Sequence, residues 1–123
     1  MLIDSNIIIY STQPKHEALR ELVRTHVPAV SVISYIEVLG FHNLKEAERH
    51  LLRQFFGAVE ILPLSGPVAE TAVLLRQRRR ISLGDSIVAA TAMESGRTLV
   101  THNVEDFRWI DGLTVMDPLA TSP

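Results

Sequence analysis

No two β-type runs in this chain follow one another directly, and this alternation constrains the fold more than any single motif. Leu2-Ile3, Ala29–Val32, Val59–Leu64, Thr98–Thr101 and Leu113–Met116 are short apolar runs, and a helical segment lies between each and the next. Antiparallel neighbours close through tight turns, whereas parallel neighbours need a crossover of helix length. The order therefore predicts an α/β fold, a three-layer α/β/α sandwich around a mostly parallel five-stranded sheet, with residues 1–123 as one domain.

The helical segments differ in how they must pack. Ile7–Tyr10 reads as a short helix after the polar break Asp4-Ser5-Asn6, and Ala18, Leu19, Leu22 and Val23 form one face of a helix over His16–His26 that Pro28 stops. A further segment runs from Ser34 to Leu39, ending near Gly40. Leu44, Ala47, Leu51, Leu52, Phe55 and Phe56 give the clearest amphipathic pattern, with Gly57 expected to close it. Gly66-Pro67 opens a helix to about Arg80. Gly84–Glu94 is small and apolar, as suits a helix lying directly on a sheet, and Gly96 ends it. Asn103–Trp109 reads as a short helix, and Asp117-Pro118 begins a tail.

Composition removes several chemistries. With no cysteine there is no disulfide scaffold, thiolate zinc site, iron–sulfur cluster or cysteine nucleophile, and a reducing, cytoplasmic setting is expected. Met1-Leu2-Ile3 meets Asp4 without a basic region, so no secretory signal is expected, and no apolar run approaches the ~20 residues of a membrane span. A net charge of −2 gives no general basic field for nucleic acid, which must be met by a local patch. Neither a glycine-rich nucleotide loop nor a G-x-S-x-G elbow is present.

Ligands of parallel sheets sit beyond the carboxyl ends of the strands. Asp4 directly follows the first strand, Glu37 lies in the helix after the second, and Asn103 and Asp106 follow the fourth. Asp85 begins the helix that feeds the fourth strand, and a helix antiparallel to that strand starts at the same edge. Each acid has a plain alternative as a helix cap: Ser34-Tyr35-Ile36-Glu37 and Ser82-Leu83-Gly84-Asp85 read as capping boxes, Asn103 with Asp106 is similar, and Asp4 can cap the helix it precedes. Caps have no reason to gather, however, and two carboxylates ~5 Å apart repel by about 3 kcal/mol at an effective dielectric of ~20. Protonation, helix N-termini or a cation can offset this. An oxygen-only donor set favours a hard ion, Mg²⁺ or Mn²⁺, and hydrolysis of a phosphodiester by metal-activated water.

The opening LIDSN, the segment SVISYIEVLG, the stretch LGDSIVAATAMESGRTLVTHNVEDF and the ending IDGLTV together resemble PIN-domain ribonucleases, in particular VapC-type toxins of toxin–antitoxin modules. The similarity runs in order from Leu2 to Val115. By resemblance, Asp4 is the family's first acid, with Ser5 and Asn6 in support. Glu37 is the second and Asp85 the third. The fourth falls on Asp106, with Asn103 as helper, although some members carry an acid at the Asn103 position. The resemblance implies a Mg²⁺- or Mn²⁺-dependent endoribonuclease, a homodimer, and a small antitoxin whose tail covers the active site. Asp4 and Asp85 would be the principal metal ligands, Glu37 would orient or deprotonate the attacking water, and Asp106 would complete the shell.

Weaker signals remain. Arg76, Arg78, Arg79 and Arg80 form a basic cluster upstream of Asp85 that suits RNA phosphates or an acidic partner, or simply a solvated helix end. Leu52, Phe55 and Phe56 read as core more simply than as a seat for an antitoxin helix. Of five histidines, His102 alone lies near the proposed site, and Trp109 is given no role. DNA as substrate, a non-catalytic dimeric partner of a DNA-binding antitoxin, and a metal-free binding module are the competing readings. A receiver-type phosphoacceptor domain is disfavoured because Asp4 is followed by Ser5-Asn6 rather than a second acid.

Overall fold

A computed structural model describes residues 1–119 of the chain. It contains β1 (Leu2–Ile3), α1 (Ser5–Ser11), α2 (Glu17–His26), β2 (Ala29–Ser31), α3 (Val32–Leu39), α4 (Glu46–Ala58), β3 (Glu60–Leu62), α5 (Gly66–Arg78), α6 (Leu83–Ser95), β4 (Leu99–Val100) and β5 (Val115–Met116). The strands form one sheet in the order β3-β2-β1-β4-β5, and every neighbouring pair is parallel. No helix among the described residues is long and apolar enough to cross a membrane.

Because successive side chains on a strand point to opposite faces, two-residue strands suffice to anchor two cores. Leu2, in register with Ala29 and with Leu99, faces Leu75 of α5 and Val88, Ala89 and Ala92 of α6. Ile3, in register with Val100, faces the other way, toward Ile7 and Ile8 of α1, Leu19, Val38, Leu52 and Phe56. Both faces are therefore covered, which gives three layers. Ala89, Ala90 and Ala92 are fully buried, so their small size lets α6 approach the sheet closely.

Local chemistry sets the helix starts. The Oδ1 of Asp4 accepts from Ile7 N–H at 3.0 Å, so one residue connects β1 to α1. The Oγ of Ser31 accepts from Ile33 N–H at 3.2 Å, and the helix begins at Val32. Ser34 is thus inside α3 and does not cap it, because β2 runs into the helix with no intervening loop. Gly57 does not end its helix either, since α4 continues through Ala58. The segment after β4 is a single 3₁₀ turn, Val104–Asp106, and the Asn103 side chain makes no capping bond. The helix expected to reach Arg80 stops at Arg78, with Arg79 extended at its end.

Candidate active site

Asp4, Glu37, Asp85 and Asp106 all lie at the carboxyl edge of the sheet, but they are held differently. Asp4 is 7% exposed, and besides capping α1 its second carboxylate oxygen accepts from the hydroxyl of Thr101, which follows β4 and is completely buried. The Thr101 bond joins the ends of the neighbouring strands β1 and β4 across 97 positions of sequence. Burial pushes the Asp4 carboxyl above its ordinary value, and the bonds from Thr101 and Ile7, with the nearby His102, pull it partly back. His102 itself pairs with Asp117 at 3.2 Å.

Glu37 is six residues into α3, beyond reach of the helix N-terminus, so the capping account of this acid fails. Its Oε1 accepts from the Ser5 hydroxyl at 3.1 Å, and Ser5 Oγ lies as close to the buried Ser34 Oγ. The other carboxylate oxygen borders the space that a side chain on residue 84 would fill: a Cβ built on Gly84 would stand 2.9 Å from Oε2. A residue with no side chain is thus what lets α3 deliver a carboxylate beside Asp85.

Asp85 sits in the first turn of α6, where its N–H is capped by the Ser82 hydroxyl at 3.1 Å. Its carboxyl is raised, first by burial and then by repulsion from Asp106, Asp4 and Glu37, with Ser82 opposing. Asp85 therefore senses each of the other three acids. Asp4, Glu37 and Asp85 line a single cavity of about 180 Å³ together with Ser5, Asn6 and Asn103. Asp106 does not line it. It shares with Asp85 an adjoining cavity of about 290 Å³, whose other walls are Arg79, Arg80, Ile81, Ser82, Glu105 and Trp109. None of the four acids has a Lys, Arg or His partner within 4.0 Å among the described residues.

The basic cluster divides. Arg76 and Arg78 lie on the last turn of α5, whereas Arg79 and Arg80 reach the second cavity. Leu52 and Phe56 are buried in the core, as the simpler reading had it. Beside them an apolar groove of about 530 Å³ runs between α1, α3 and α4, lined by Ile9, Val38, Phe41, Leu44, Leu51 and Leu52 and ending at Ser5 and Glu37. Thr101, Ser34, Gly84 and Trp109 were not marked by the sequence as parts of the site. For Thr101 a signal existed, since a hydroxyl just past a strand end sits at the ligand edge by the same rule that located Asp4.

The sequence pattern of the PIN domain matches residues 1–113. The chain belongs to the PIN-domain family. Among relatives of this PIN domain, Ribonuclease VapC10 of Mycobacterium tuberculosis is 32% identical over 121 residues, covering 92% of this chain and 90% of that one. The tRNA(fMet)-specific endonuclease VapC of Shigella flexneri is 25% identical over 126 residues, covering 94% and 96%. Among solved structures, a toxin–antitoxin complex from Klebsiella pneumoniae superposes with a TM-score of 0.81 at 29% identity, covering 98% of each chain. These agree with the resemblance read from the motifs and with the parallel five-stranded PIN-domain sheet.

Proposed function

We propose that this PIN domain is an endoribonuclease toxin of a toxin–antitoxin module, cutting RNA phosphodiester bonds at the cavity between Asp4, Glu37 and Asp85. The observation that carries the reading is the gathering of these carboxylates around one cavity at the strand ends, with no basic partner within 4.0 Å among the described residues. Left alone, the arrangement is unfavourable: burial holds both Asp4 and Asp85 above their ordinary value, and like charge from the other three acids raises Asp85 further. A hard divalent cation removes that penalty, and the donors available, carboxylates with the amides of Asn6 and Asn103, are all oxygen. As placed, no three Asp, Glu or His side chains among the described residues form a ready chelating group. Mg²⁺ takes few carboxylates and keeps its waters, so two of these acids suffice as its protein ligands. Asp4 and Asp85 would hold Mg²⁺ or Mn²⁺, which would supply charge neutralisation at the scissile phosphate and a water of lowered pKa.

The chain's own residues supply the rest. The two hydrogen bonds on Asp4 fix its carboxylate before any ligand arrives, so no ordering is needed at that moment. Glu37 is solvent-exposed, its Oε1 held by Ser5 and its Oε2 in the space that the missing side chain of Gly84 leaves open, and so presents a free carboxylate edge able to orient a water and take its proton. Asp106 adds negative charge to Asp85 from the far side, and Asn103 lines the cavity directly. The apolar groove ending at Glu37 suits the apolar face of an antitoxin helix whose tail continues into the site. A second copy of the chain is expected to cover exposed apolar side chains such as Val73 and Leu74 on α5.

Cleavage of labelled single-stranded RNA and DNA by the purified protein tests the reading. RNA is cut with Mg²⁺ or Mn²⁺ and spared in EDTA, and Asp4→Asn and Asp85→Asn abolish cutting while circular dichroism stays native. Undiminished cutting by both folded variants overturns the assignment, and cutting of DNA alone moves the substrate class.

A further inference from the structure

We propose that the Arg79–Trp109 pair is a base-stacking subsite for the nucleotide next to the scissile phosphate. The Arg79 guanidinium lies 5.4 Å from the centre of the Trp109 ring, in cation–π contact. The ring is fixed on its own side, since its Nε1–H donates to the Asp106 carbonyl at 2.9 Å and its body packs against the core under β4 and β5. Arg79 and Arg80 have no acidic partner within 4.0 Å among the described residues, although Asp85, Asp106 and Glu105 line the same cavity. Two unpaired guanidiniums held beside carboxylates leave their charge free for an incoming anion.

At about 290 Å³ the cavity is near the lower end of the ~300–1,000 Å³ typical of small-ligand sites, a fit for one nucleoside rather than a helix. Its wall is shared with the proposed cleavage cavity through Asp85, so a strand whose phosphate is at Asp85 has its neighbouring nucleotide here. A flat guanidinium backed by an indole accepts the π-face of a base, as single-stranded RNA sites do, while Arg80 takes a phosphate oxygen. The acidic wall of Glu105 and Asp106 favours the donor edge of a base over an acidic peptide. Arg76 and Arg78 do not take part. The subsite rests on the ribonuclease reading for its neighbour, but its own test does not need turnover.

Trp109 is the sole tryptophan, so its fluorescence reports on this cavity alone. Short single-stranded RNAs, titrated in EDTA, quench the emission saturably. Arg79→Ala weakens that binding about 10-fold, the worth of one base stack, and Arg80→Ala flattens the salt dependence by about 0.7 in log–log slope, the loss of one phosphate contact. In cleavage, Arg79→Ala raises KM with kcat nearly kept, and Trp109→Phe retains most of the affinity. Emission that ignores RNA, or that answers an acidic peptide and not RNA, overturns the subsite, as does Arg79→Ala with wild-type binding and KM. If RNA is cut while Trp109 stays silent, the subsite fails and the ribonuclease stands. If RNA quenches but is never cut, the subsite stands and the ribonuclease fails.

Discussion

Replacing Gly84 with alanine separates the placement of Glu37 from the stability of the fold. The new Cβ would stand 2.9 Å from Glu37 Oε2, whereas ordinary contact begins near 3.4 Å, so the carboxylate must retreat by about 0.5 Å. The intruded group is the free end of a flexible side chain, and it yields without moving backbone. Glycine in the first turn of α6 gives way to a better helix former worth up to ~1 kcal/mol, so the variant melts at or slightly above the wild-type temperature. Catalytic groups must be held within about 0.5 Å, and a 1 Å misplacement can cost ~10²-fold, so kcat for RNA cleavage should fall about 10-fold. Single-turnover cleavage alongside a thermal melt reads both quantities. A Gly84→Ala protein that melts normally and cuts at the wild-type rate would refute the argument that this contact positions Glu37.

Other consequences concern the apo protein and its strain. Because the folded Asp85 carboxyl is raised above 3.8, its stabilising contribution is complete below that value and is lost as pH climbs through the raised one. In EDTA, Asp85→Asn should therefore melt above wild type at pH 7, with the gap closing toward pH 4, while added Mg²⁺ should stabilise only the wild type. Thr101→Val strips a donor from buried Asp4 and should cost ~1–3 kcal/mol in urea unfolding, more at pH 8 than at pH 4, since the lost bond favours the charged form. Val27 holds φ at 39° while 62% exposed, a β-branched residue in the left-handed region, so Val27→Gly should leave stability equal or raise it by up to ~1 kcal/mol on thermal melting.

How the fold can be read from sequence follows from what each element needs. The alternation of short apolar runs with helices dictates parallel strands, and parallel strands place Asp4, Glu37 and the turn after β4 at one edge; Asp85 joins them because its helix must run back along the sheet. What stayed hidden depends on contacts that periodicity does not encode. Ser31 is both the last residue of β2 and the cap of α3, so the capping-box pattern at Ser34 misled by three positions. Gly57 looked like a stop, yet an exposed glycine is tolerated one residue before a helix ends. The strand-end rule places Thr101 at the ligand edge, but its bond to Asp4 and the approach of Glu37 to Gly84 join remote segments that no local pattern pairs. Trp109 looked like ordinary packing, and one of its faces is; the other face is visible as a cavity wall only once the end of α5 is placed beside it.

The most direct measurement is anomalous diffraction from crystals soaked in Mn²⁺, collected at the manganese edge. A peak within bonding distance of the Asp4 or Asp85 carboxylate, in the cavity shared with Glu37, is the result expected, and it should vanish in Asp85→Asn crystals. RNA cleavage by a protein whose map shows no ion there, or shows it only elsewhere, would contradict the account.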